Sequence, residues 1–91
     1  MIDESEFQRR LEAEAHSCHR WFNGPGTTFP SHSHPYRKIL YCLRGSIRFE
    51  LTAGGSSISL GPGDRLDLPA GTPHSALVGS AGVTCIEGRE G

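Results

Sequence analysis

The sequence predicts an all-β domain: a jelly-roll β-barrel of about seven or eight short strands with one short N-terminal α-helix. Three observations predict it. Turn residues punctuate the chain, with 12 Gly and 6 Pro among 91 residues. Between the turns, apolar residues recur in short alternating runs. Helical periodicity is confined to the first fifteen residues, where Phe7, Leu11 and Ala15 fall at i, i+4 and i+8.

That helix opens on Asp3, with Glu6 three residues later in the pattern of a capping box. Glu6 and Arg10 stand one turn apart and add about 0.2 to 0.5 kcal/mol. The apolar stripe is read as packing on the barrel. From His16 onward the period changes. Strands are expected at Cys18 to Phe22, Thr28 to His34, Lys38 to Leu43, Ser46 to Thr52, Ser57 to Leu60, Arg65 to Leu68, His74 to Val78 and Val83 to Glu87. The separators are Asn23-Gly24-Pro25-Gly26, Gly54-Gly55, Gly61-Pro62-Gly63, Pro69-Ala70-Gly71 and Gly79-Ser80-Ala81-Gly82. Residues 1–15 are the helix and 16–91 the barrel, together a single domain near the lower size at which burial alone stabilises a fold. Phe49, Leu66, Leu68, Leu77 and Ile86 read as core. Trp21 and Phe29 either line the far end of the cavity or cover it.

Nine basic and ten acidic side chains leave a net charge of -1, with no basic tract, which argues against a nucleic-acid partner. Cys18, Cys42 and Cys85 form no C-x-x-C pair, and their odd number argues against a disulfide framework. Reduced thiols and a cytoplasmic location are expected. The charged segment Met1 to Ala15 lacks the apolar run of a signal peptide, and no stretch approaches a membrane span, so no membrane partner is expected.

Chemistry concentrates in His32-Ser33-His34 and in Pro69-Ala70-Gly71-Thr72-Pro73-His74. Imidazoles separated by one residue on a strand point to one face. A third, after a rigid turn, meets them if the strands close into a barrel, and three converging histidines make a metal site. A single barrel histidine is ordinarily a satisfied core residue; three at this spacing favour a ligand set.

The spacings carry a family likeness. His32-x-His34, three residues, Lys38, six residues and Gly45 resemble the first motif of the cupin superfamily; Gly63, five residues, Pro69-x-Gly71, two residues and His74 resemble the second. The resemblance implies a barrel of two packed antiparallel sheets and a metal held by two histidines and a glutamate of the first motif with the histidine of the second. By position His32, His34 and His74 take the ligand roles. The glutamate position is Lys38, and the asparagine that often closes the second motif is Val78.

An ammonium cannot supply the missing oxygen ligand. Strand parity points Lys38 into the cavity, where a second positive charge repels it by several kcal/mol at an effective dielectric of about 20. Lys38 is therefore neutral, turned away, or paired with an anion. Asp64 and Asp67 are candidate partners, and a substrate carboxylate or phosphate is favoured over a general-base role. Tyr36, at the cavity mouth, either hydrogen-bonds a ligand or packs. Lys38 and Tyr36 are the candidate catalytic residues. Three imidazoles suit Fe, Ni, Cu or Zn and suit Mn less. Cys42 reads as core, Asp64 as a turn residue, and His16, Cys18 and His19 as surface or interface residues.

Two functions are compatible with these residues. The first is a metal-dependent enzyme of oxygenase, isomerase or lyase type acting on a small anionic or chelating organic molecule. The alternative is a non-catalytic module that binds or senses a small ligand or a metal. A small barrel with a limited core is expected to form a homodimer in either case.

Overall fold

The computed structural model describes residues 2–90; Met1 and Gly91, the outer limits of the two expected segments, lie outside the described residues. Helix α1 spans Glu4–Glu14, with six strands after it: β1 His16–Asn23, β2 Thr28–His32, β3 Arg37–Leu51, β4 Ser56–Leu60, β5 Arg65–Leu68 and β6 His74–Glu90. Asp3 caps the helix, accepting from the Ser5 and Glu6 amides at 3.0 and 3.3 Å. The Glu6 carboxylate engages Arg10 at 2.8 Å.

The all-β jelly roll predicted from the sequence is the observed fold, with six strands because four expected strands join into two long ones. Lys38–Leu43 and Ser46–Thr52 run on as β3, and His74–Val78 and Val83–Glu87 run on as β6. Their antiparallel pairing extends from Arg37 opposite Glu90 to Leu51 opposite His74, with register shifts at Cys42/Arg44 and Gly45/Ile47. Gly82, read as a turn signal, and Gly45 of the first motif are bends inside paired strands. Gly45 has φ +73°, and a Cβ there would lie 1.9 Å from the Gly82 carbonyl oxygen. Only glycine fits this crossing, where a bulge turns each strand from one layer into the other.

Two four-stranded layers result. The first is β1, the C-terminal half of β6, the N-terminal half of β3, and β5. The second is β2, the N-terminal half of β6, the C-terminal half of β3, and β4. Alternation along β3 separates two cores. Leu40, Cys42, Ile47 and Phe49 face the barrel interior with Leu60, Leu66 and Leu68. Ile39, Tyr41 and Leu43 face outward, where Leu11 and Phe7 of α1 cover them with Ile86. The helix thus buries its stripe on the outside of the first layer, as expected. Leu77, expected in the core, is 39% exposed; its neighbours Ala76 and Val78 take the inward positions, so it points to solvent.

No helix among the described residues is long and apolar enough to cross a membrane.

Candidate metal centre

His32 ends β2 and lies opposite His74, the first residue of β6. His34 falls in the loop before β3, two residues beyond the strand in which it was expected. The two rings nevertheless converge, at 4.8 Å between centroids, because the Pro35 bend turns the chain and the Gly71 amide donates to the His34 carbonyl at 2.7 Å. That bond ties the loop to the Pro69-Ala70-Gly71 turn, in which Gly71 has φ +75°. The second motif thus places His74 and also braces His34.

One ring nitrogen from each of His32, His34 and His74 lies within 4.8 Å of the other two. Nitrogens each about 2.1 Å from one ion are at most about 4.2 Å apart, so small ring rotations close the set. The backbone fixes two of the tautomers. Nδ1 of His32 lies 2.8 Å from the Pro30 carbonyl oxygen, and Nδ1 of His74 lies 2.9 Å from that of Thr72. Each Nδ1–H donates there, leaving the Nε2 lone pair for a ligand, as outer-shell carbonyls do at histidine metal sites. Burial pushes the pKa of His34 and His74 below the usual histidine value, and the Lys38 charge pushes in the same direction. Imidazoles with oriented lone pairs fit a divalent transition metal.

His32 and His74 border a cavity of about 260 Å³, with the His34 ring packed beside theirs. Its polar end holds His32, His74, Lys38 and Glu87; Phe29, Leu40, Ile47, Phe49 and Ala76 form apolar walls. Lys38 faces inward, as strand parity requires, but neither expected aspartate meets it. Asp64 accepts from the Gly61 amide at 2.8 Å, and Asp67 is held by Arg65 and Arg37. The partner is Glu87, with its carboxylate 3.2 Å from Lys38 Nζ and both side chains largely buried. Trp21 Nε1–H donates to the other Glu87 oxygen at 2.7 Å. Trp21 and Phe29 both line the cavity, in edge contact at 6.1 Å. Glu87 was missed in the sequence, although a signal was present: Val83, Cys85 and Glu87 alternate onto one face, and an acid ending an apolar inward row needs a partner.

Tyr36 lies outside the cavity wall. Its ring packs 5.0 Å from that of His34, under the Arg89 guanidinium at 4.3 Å. Cys42 is fully buried, as expected. A bulge with Ser17 at φ 55° separates His16 from His19, so these two and Cys18 form no ligand cluster. Cys18 packs under the helix, and His19 is exposed at the edge of the sheet.

Several known proteins share this architecture. A 50-residue stretch, 55% of this chain and 24% of the relative, is 40% identical to dimethylsulfoniopropionate lyase DddQ of Ruegeria pomeroyi. The matched stretch thus spans about a quarter of that protein. The crystal structure of DMSP lyase DddQ from Ruegeria pomeroyi DSS-3 superposes with a TM-score of 0.74 at 27% identity, covering 81% of this chain and 37% of that one. The polyketide cyclase RemF from Streptomyces resistomycificus superposes at 0.73 with 23% identity, over 97% of this chain and 60% of that one, a likeness of fold. The cupin domain family itself matches residues 19–87. With well over half its length matched, and the barrel and histidine motifs in place, this chain belongs to the cupin family.

Proposed function

We propose that this cupin is a metal-dependent enzyme acting on a small anionic or chelating organic molecule, with His32, His34 and His74 as the metal ligands. The observation that carries this reading is the trio of converging imidazoles beside a cavity that is polar at one end and apolar along its walls. A divalent transition metal such as Fe, Ni, Cu or Zn, when bound there, supplies a Lewis acid for a ligand oxygen. The residues around it set the rest. Lys38 and Glu87 cancel each other's charge, so the net charge of the loaded site is that of the ion, and an anionic ligand is attracted without a separate cation in the cavity. Lys38 Nζ is held in place by Glu87 and orients a ligand oxygen with its remaining N–H donors. Tyr36 backs His34 at the rim. Phe29, Leu40 and Phe49 exclude water from the apolar part of the ligand.

Among oxygenase, isomerase and lyase chemistries, the stretch 40% identical to a lyase supports the last. Homodimerisation and cytoplasmic residence belong to the same proposal. Phe22, 64% exposed on β1, is surface that a second copy would cover, and free Cys18, Cys42 and Cys85 fit a reducing compartment.

The test is incubation of metal-loaded protein with a panel of small carboxylates and hydroxy acids, dimethylsulfoniopropionate among them, followed by proton NMR. Conversion of one compound by the wild type and not by His74→Ala is the expected result. A compound that binds and is recovered unchanged would contradict catalysis and leave a binding module.

A further inference from the structure

Among the described residues, every basic side chain except Arg9 and Arg89 is ion-paired. Arg9 is exposed on the helix, away from the barrel mouth. Arg89 lies near the histidines, outside the cavity lining itself. It follows Glu87 by two residues on β6, on the same face, and lies opposite Lys38 of β3 and His16 of β1. Its guanidinium carbon sits 4.3 Å over the Tyr36 ring, which packs against His34. A contact made through the ring face uses none of the five N–H donors of arginine. Lys38 is engaged by Glu87. Among the described lysines and arginines, Arg89 is therefore the one beside the histidines without an ion partner, and its planar fork matches a carboxylate.

We propose that Arg89, seated on Tyr36, receives the carboxylate of a small ligand whose other end reaches the three histidines. This rests on reading the cavity as a ligand site and narrows the ligand to a carboxylic acid. Arg89 is then a specificity-determining residue and Tyr36 its platform.

Propionate, with propionamide as the uncharged counterpart, probes the site. The chain has a single tryptophan, whose indole N–H lies on the cavity wall and reports binding by NMR. In zinc-loaded protein, propionate is expected to move that signal saturably and propionamide is not. Arg89→Ala should weaken propionate about tenfold, the loss of a charge-assisted hydrogen-bonded pair. Arg89→Lys should recover only part of it, because the fork is gone. Equal binding of both probes, undiminished propionate binding in Arg89→Ala, or no propionate binding in the wild type would each overturn the proposal. Native mass spectrometry of the same samples keeps the readings apart. Failure of the wild type to hold zinc would defeat the metal centre, whereas the titration of metal-free protein would still report on Arg89.

Discussion

Lys38 and Glu87 form the pair on which the electrostatics of the cavity turn. Each alone would be a largely buried charge beside apolar walls, costly unless paired. Replacing Lys38 by Met should destabilise the protein by about 2 kcal/mol, because Glu87 keeps only its bond from Trp21 and a 3.9 Å contact with the exposed His19 ring. Adding Glu87→Leu should return part of that loss, since an apolar pair leaves no orphaned charge. Urea unfolding of the two single variants and the double variant measures the coupling, and additive effects would contradict the pairing. Strand parity pointed Lys38 inward but left a side chain turned away as an alternative, because one bulge reverses the parity. The partner of Lys38 was not legible, because parity gives a face and not which distant strand lies across it. The reverse holds for His34: its ring converges with the others although the strand argument that placed it there fails, and a loop bond to Gly71 does the work.

At the scale of elements, α1 is held to the barrel by its two ends as well as by its stripe. Glu4 accepts from Arg20 and Arg44 at 3.2 and 3.1 Å, and Glu14 from Arg65 at 2.6 and 3.1 Å. Hydrogen bonds from Arg65 hold the carboxyls of Glu14 and Asp67 below their ordinary values. A carboxylate depressed in the folded state contributes stability that is present above its unfolded pKa, near 4, and lost as pH falls through the folded value. Wild type should therefore have a higher melting temperature than Arg65→Met at pH 6, and the gap should close on acidification towards pH 3. Thermal melts across that range check it; a constant gap would mean that Arg65 stabilises by packing alone. The helix was legible because Asp3 and the Phe7, Leu11 and Ala15 stripe agree on its ends and its buried face. The long strands were not. Glycine signals both turns and bulges, and only the approach of Gly45 to the Gly82 carbonyl tells them apart.

The whole molecule is a bent sheet closed into a barrel, with its chemistry gathered at one mouth. The first layer brings Lys38, Glu87 and Arg89; the second brings His32 and His74; the loop between β2 and β3 adds His34 and Tyr36. Spacing within two short motifs was enough to find the histidines, because the turns that aim them are local. The cavity around them is assembled from β1, β2, β3 and β6, and so appears only once the strands are paired. The central claim is that the three histidines bind one metal. Elemental analysis by mass spectrometry of untagged protein, with His74→Ala purified in parallel, tests it most directly. The account predicts about one equivalent of a single transition metal in the wild type and none in the variant. Equal metal content in the two proteins, or none in the wild type after reconstitution, would contradict it.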